Sequence, residues 1–282
     1  MLIYVRNGQE SAGQEHSRAI VTIVLGDEYE RVWELVCRDS WERYGREFGY
    51  DVIAIKAALD QSPRASARSP AWQKLLILSQ SWSSRYERIV WLDADIIISP
   101  SAYDISSFVP NREQVGIASN EQISAVESHV YREKIHNIRM HPDEFARQSA
   151  TSFGLRTAFE AFGIITDDPV EYNTGVLVLA PDLHADLLLD VYQRYEQSGP
   201  RYEQMPLSHT LQRAGILQFI SPRFNWNIHI AIILGYIDTV VPEEFIRFLR
   251  NELRKAYFLH FPGSMPVLRM LADWREQANF VI

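Results

Sequence analysis

A chain of 282 residues, 46% hydrophobic and 23% charged, has the composition of a globular protein and enough length to bury a core without staples, which excludes disorder. Thirteen Gly and 13 Pro exclude a collagen-like or low-complexity chain. A net charge of −8 has the wrong sign for gripping nucleic acid or anionic lipid, since phosphate contacts need clustered cations. The single cysteine, Cys37, has no partner for an internal disulfide and points to a reducing compartment. The opening residues, Met1 to Arg6, carry too short an apolar run for a secretory leader. The longest apolar candidate for a membrane span, residues 228–237, is short and broken by His229 and Gly235. These features are those expected of a cytoplasmic protein without an integral membrane segment.

In chain order, residues 19–25 form a continuous β-branched run, the mark of a strand buried on both faces. A helix is expected over 28–48, where Tyr29, Trp33, Val36, Ser40 and Tyr44 recur at three- and four-residue spacing. Residues 51–55 read as a second strand. A Ser/Pro-rich loop over 61–69 leads to Pro70, a good first-turn residue for a helix over 71–81. Residues 88–92 read as a third buried strand. Strand, helix, strand, helix, strand implies an α/β layer with a mostly parallel central sheet flanked by helices, the Rossmann-like arrangement.

The second half is less regular. Residues 119–170 are charged, weakly periodic and read as a surface insertion. Its His129, His136 and His141 lie at spacings that make no compact helical metal face, so they read as solvent histidines. Strands are expected over 174–180, 216–220 and 257–260, and helices over 181–197, 204–214 and 266–276. With no repeat and no linker, the expectation is one domain over 1–282 with an elaborated C-terminal half.

The sharpest local feature is Trp91-Leu92-Asp93-Ala94-Asp95-Ile96-Ile97-Ile98. Asp93 and Asp95 interrupt a single apolar run, and carboxylates in such a setting need compensation. A divalent cation is one compensation, and hard oxygen ligands suit magnesium or manganese. The bare Asp-x-Asp pattern arises by chance about once in a chain of this length. Its setting says more, because it follows the third strand, and open α/β sheets bind ligands at the carboxyl ends of their strands.

At these residues the chain resembles the GT-A glycosyltransferases, most closely the retaining glycosyltransferase family 8, through blocks spanning roughly residues 19–264. Leu25-Gly26-Asp27-Glu28-Tyr29 stands where that family contacts the nucleotide base and ribose. Ala71-Trp72-Gln73-Lys74-Leu75 matches an aromatic, basic and leucine block ahead of the metal motif. Arg88 to Asp95 matches the metal block itself. Tyr172-Asn173-Thr174-Gly175-Val176-Leu177 is similar to an Asn-Ser-Gly strand start, Glu203-Gln204 to an acidic-Gln pair, and Leu259-His260-Phe261-Pro262-Gly263 to a late His-Phe-x-Gly segment.

The resemblance implies a hexosyltransferase that moves a sugar from a nucleotide-diphosphate sugar, a UDP-sugar first, to an acceptor hydroxyl with retention of configuration. Residues 19–118 would form the nucleotide-sugar part, and 119–282 the acceptor side with its variable insertion at 119–170. Asp93, Asp95 and His260 would hold the metal, and the imidazole nitrogen would favour Mn2+ over Mg2+. Leu25, Gly26, Asp27, Tyr29, Lys74, Asp93, Ala94 and Gly263 would contact the donor. Lys74 would be a second cation, for the diphosphate or for an acidic partner; Asp27 has a second reading as a helix cap, Tyr29 as core, and Lys74 as a solvated helix lysine. Gln204 and Asn173 would be catalytic: an amide is a poor nucleophile, so Gln204 would stabilise positive character at the sugar while Asn173 orients hydroxyls. Glu203 has a sufficient alternative explanation in the helix macrodipole.

The chain departs from the family twice. No lysine follows Gly263, where Arg269 or Lys74 would have to serve, and Met205 replaces an acid after Gln204. Two other readings stand beside the enzyme: a catalytically degenerate GT-A domain that binds sugar or protein, and a sugar nucleotidyltransferase. The second wants a glycine-rich basic loop after the first strand, where this chain has the acidic Gly26-Asp27-Glu28-Tyr29-Glu30.

Overall fold

Chain segments rich in β-branched and aromatic residues form the centre of the molecule, seen in a computed structural model that describes residues 2–6, 9–10, 15–119, 122, 127, 130, 155–196, 202–235 and 242–278. Among these residues the strands are β1 (Leu2–Arg6), β2 (Gln9–Glu10), β3 (Arg18–Ile23), β4 (Asp51–Ile55), β5 (Arg88–Leu92), β6 (Ile96–Ile98), β7 (Val115–Ala118), β8 (Val176–Leu179), β9 (Leu217–Ile220), β10 (Trp226–Asn227) and β11 (Phe258–His260). Eight form one sheet in the order β2-β1-β4-β3-β5-β8-β7-β9, and β10-β11-β6 form a small second one. In the large sheet every strand but β2 and β8 runs in one direction. The mixed α/β, mostly parallel expectation is met. The reversal at β8 follows from its place in the chain: it arrives after the long 119–170 segment, so no tight strand-helix-strand crossover dictates its direction.

Strand alternation sorts the core into two layers, one on each face of the sheet. Ile20, Val52 and Val90 face the helical segment 27–48 and the C-terminal helix Met265–Ala278. Ala19, Val21, Ile53, Ile89 and Trp91 face the other way, onto the segment Pro70–Ser79 and the helices Pro181–Arg194 and Gln204–Ala214.

Two helices depart from simple α geometry. The predicted 28–48 helix is Asp27–Val32, a π segment Trp33–Cys37, then Arg38–Phe48. The wider turn lets Trp33 and Trp41 both point inward, where their rings meet edge to face at 5.7 Å. Trp41 Nε1 donates to Ile96 O at 2.7 Å, and Ser40 Oγ accepts from Ile98 N at 3.0 Å, so this helix pins β6. The predicted 71–81 helix is instead the 3-10 helix Pro70–Ser79, entered through a Ser69 cap and buried continuously from Trp72 to Leu78. Its residues pack between the sheet and Pro181–Arg194, a space that suits the thinner winding.

Strands β1, β6 and β7 and the helix Pro242–Lys255 are additions to the sequence reading. His129, His136 and His141 lie outside the described residues. Of the 119–170 segment, the helix Leu155–Glu160 is described, and Phe159 is buried in the second core layer.

Candidate active site

At its carboxyl end β5 leaves the large sheet, turns through Asp93-Ala94-Asp95, and re-enters as β6 in the small one. There β6 pairs antiparallel with β11 in a register that sets His260 opposite Ile96. Phe261 N donates to Asp95 O at 3.0 Å, which closes the join. Sheet pairing thus brings an imidazole from the end of the chain onto the Asp-x-Asp turn. His260 Nε2 lies 3.1 Å from Asp95 Oδ1 and 3.8 Å from Asp93 Oδ2. One ligand atom from each of Asp93, Asp95 and His260 falls within 4.8 Å of the others.

The same register logic delivers the next block. Antiparallel pairing of β5 with β8 sets Leu92 against Val176 and continues as Asp93 N donating to Gly175 O at 2.8 Å. Asn173, Thr174 and Gly175 therefore lie beside the turn. A Cβ on Gly175 would press into His260 Cε1 and stand 2.9 Å from Asn173 Oδ1 and 3.0 Å from Asp93 Oδ2. Glycine is needed there for close approach of the backbone to the site. Asn173 Oδ1 accepts from Gly175 N at 2.9 Å and from Asn225 Nδ2 at 2.9 Å.

Asp93 is held by one oxygen. Its Oδ1 accepts from Trp91 Nε1 at 2.8 Å and Lys74 Nζ at 3.0 Å, while Oδ2 turns toward His260. Burial pushes the Asp93 pKa up, but Lys74 and His260 more than reverse this, so it stays below its usual range. Lys74 also meets Glu203 Oε1 at 2.9 Å and Thr174 O at 3.3 Å. Burial alone would pull the Lys74 ammonium down; Asp93 and Glu203 more than reverse it, leaving a raised pKa and a firmly held charge. Of the two expected roles for Lys74, diphosphate cation and partner of an acid, this geometry corresponds to the second.

Glu203 precedes the helix Gln204–Ala214 and is buried, hydrogen-bonded by Thr174 Oγ1 at 3.1 Å. Burial raises its pKa, with Lys74 offsetting part of the rise. A buried carboxylate in an ion pair is more than a macrodipole ornament, which corrects the simpler explanation of this residue. Gln204 is clamped at both ends of its amide: Oε1 accepts from Thr174 N at 3.2 Å, and Nε2 donates to Glu171.

The Leu25–Tyr29 block follows β3, whose parallel neighbour is β5, so both blocks open at the same edge of the sheet. Gly26 has φ +91°, a conformation that suits glycine, and its carbonyl accepts from Glu30 N at 3.0 Å as the helix begins. The helix starts at Asp27, with Gly26 as its cap residue, so the reading of Asp27 as the cap is not met. Tyr29 is 48% exposed, which removes its core reading. Burial of part of its ring and the Asp95 carboxylate raise the pKa of its phenol, with a smaller contribution from Tyr202. Leu25 is half-buried, Ala94 packs against the first core layer, and Gly263 is exposed at φ +67° in the turn closed by Ser264 N to Phe261 O at 3.0 Å. Arg269, a candidate for the missing lysine, is engaged by Glu28, with Nη2 to Oε2 at 2.6 Å.

Two residues absent from the sequence reading belong here. Asn225, at the end of the 3-10 turn Pro222–Asn225, has its Oδ1 2.6 Å from His260 Nδ1. Tyr202, next to Glu203, is 44% exposed and adopts φ +53°, in the left-handed region a bulky residue rarely enters. Nothing in the spacing of Asn225 signals its contact with His260.

The donor set suits a divalent cation. His260 Nε2 and Asp95 Oδ1 are both buried and face each other at 3.1 Å, and neither has another hydrogen-bond partner among the described residues. Two carboxylates and one imidazole are ordinary ligands for Mn2+.

No known family model matches the chain, and no curated protein does. Among solved structures, it is similar to a glycosyltransferase involved in glycosylation of the major capsid of PBCV-1, at 15% identity and TM-score 0.51. That match covers 92% of this chain and 100% of the other. It is also similar to the bifunctional glycosyltransferase WbbM, at 11% identity and TM-score 0.52, over 95% of this chain and 52% of that one. At such identities the likeness is one of fold, and the fold is GT-A, that of glycosyltransferases.

Proposed function

We propose that the protein is a metal-dependent GT-A glycosyltransferase of the family 8 type, moving a sugar from a nucleotide-diphosphate sugar, a UDP-sugar first, to an acceptor hydroxyl with retention. The observation that carries this reading is the convergence of Asp93, Asp95 and His260 within 4.8 Å at the carboxyl ends of the strands. Those three residues would hold Mn2+, which when bound supplies Lewis-acid neutralisation of the leaving diphosphate. Lys74 and Trp91 fix Asp93 Oδ1, so Asp93 presents its other oxygen to the site. Gly26, Asp27 and the exposed Tyr29 lie at the same sheet edge and would meet the nucleotide there. Gln204, its amide held by Thr174 and Glu171, would stabilise positive character at a sugar carbon, an amide being a poor nucleophile. Retention by a front-face route, with the acceptor proton passing to the departing phosphate, rests on the resemblance to family 8.

The test is calorimetric titration of UDP, GDP and UDP-sugars into the protein, with Mn2+ and then with EDTA. Tight, Mn2+-dependent binding of one nucleotide is expected. Absence of binding in both conditions would overturn the enzyme reading in favour of a degenerate binding domain. With the donor known, Gln204→Ala should depress kcat more than it raises KM; equal changes would make Gln204 a binding residue.

A further inference from the structure

We propose that Asn225 is a positioning residue that fixes His260 in the ring tautomer a cation requires, an inference that rests on the metal reading above. The argument begins at a backbone N–H, whose direction is not open to choice. Gly175 N donates to Asn173 at 2.9 Å, which identifies the receiving side-chain atom as the oxygen. That oxygen, and the Asn173 backbone carbonyl, lie 2.9 and 3.3 Å from one end of the Asn225 amide. Two acceptors demand a donor, so that end is the NH2 group. The other end, Oδ1, is then the atom 2.6 Å from His260 Nδ1. An amide oxygen only accepts, so Nδ1 carries the hydrogen.

In the neutral ring this leaves the lone pair on Nε2, the buried atom that faces Asp95 Oδ1 at 3.1 Å and Asp93 Oδ2 at 3.8 Å. With the amide reversed, the ring would place its hydrogen on Nε2, aimed at the two carboxylates where a cation belongs. The fold holds the arrangement from three sides. Parallel pairing of β10 with β11 sets Asn227 against His260 and keeps Asn225 beside the ring. The absence of a side chain on Gly175 gives the ring its space. Asn173 acts here through Asn225, so part of its effect on turnover is a metal effect.

The test uses the full chain and Mn2+ alone. Asn225→Leu keeps the volume and removes the acceptor, and should weaken Mn2+ binding about 10–100-fold, the range typical of a lost outer partner. Asn225→Asp restores an acceptor for Nδ1–H and should recover most of the affinity. Unchanged Mn2+ affinity in Asn225→Leu beside a binding wild type overturns the inference alone. If wild type binds no Mn2+, the metal reading fails, and the inference is judged by ring-nitrogen NMR of His260 in the metal-free protein at a pH where the ring is neutral. The Nδ1–H tautomer supports it, and the Nε2–H tautomer overturns it; the same spectrum decides the matter if Asn225→Leu does not fold.

Discussion

Two groups of carboxylate and imidazole side chains stand at opposite ends of the same sheet. Asp93, Asp95 and His260 lie past the carboxyl end of β5; Glu15, His16 and Asp51 lie at the amino ends of β3 and β4. Each offers three ligand atoms within 4.8 Å. They differ in what the carboxylates do. Asp51 Oδ2 accepts from Glu15 N at 2.9 Å, His16 N at 3.2 Å and Tyr86 Oη at 3.1 Å, tying the incoming chain to the sheet. In the Asp93 group the protein grips one atom of a ligand and leaves another facing inward: Asp93 Oδ1 is held and Oδ2 turned in, His260 Nδ1 held and Nε2 turned in. Proximity of ligand-type residues therefore does not make a site. What separates the two is that in the Asp93 group buried atoms of two ligand-type residues, Asp95 Oδ1 and His260 Nε2, face each other at 3.1 Å, whereas Asp51 Oδ2 is spent on the backbone N–H groups of Glu15 and His16.

The contrast can be broken most forcefully at Lys74. Lys74→Met leaves Asp93 and Glu203 without their shared cation, and removing one member of a buried ion group costs about 3–5 kcal/mol. Denaturant unfolding should show that loss, and a loss under 1 kcal/mol would mean that solvent reaches the pair. Asp95→Asn should lower Mn2+ affinity more than about 100-fold, beyond the cost of losing an outer partner, while the unfolding midpoint holds. Normal Mn2+ titration of that variant would remove Asp95 from the ligand set.

Gly175→Ala forces a methyl group against His260 and should cost about 1–3 kcal/mol of stability, as overpacking does, together with weakened Mn2+ binding. Retention of both would show that β8 yields easily. The smallest effect is expected at the other end of the sheet. Asp51→Ala strips acceptors from two backbone N–H groups and Tyr86, and should leave Mn2+ affinity as in wild type. A fall in Mn2+ affinity there would erase the distinction between the two clusters.

Much of the scaffold was legible because its signals are local. Strands β3, β4 and β5 follow from short runs of β-branched residues, and the helix Gln204–Ala214 was read to its limits. The helix Pro242–Lys255 also carries a local signal, since Phe245, Leu249 and Leu253 repeat every four residues and are buried. Strand β7, Val-Gly-Ile-Ala, is too short to stand out, and Gly116 in its middle weakens its pattern further. The 3-10 winding of Pro70–Ser79 could not be read, since its periodicity is blurred by burial on every side.

For the site, the sequence by itself determined the chemical inventory: two aspartates ending an apolar strand, an amide after an acid, and a late histidine. Charges in an apolar run announce themselves because burial makes them costly without a partner. The tertiary structure alone decided which partner each one has. Antiparallel pairing of β6 with β11 carried His260 to Asp95, and pairing of β5 with β8 carried Gly175 to Asp93. Packing of a 3-10 helix buried Lys74 between two carboxylates, where an exposed helix lysine was the simpler expectation. Asn225 joined only through the register of β10 with β11. Register is a property of paired strands, set by contacts between segments distant in the chain, and no local spacing encodes it.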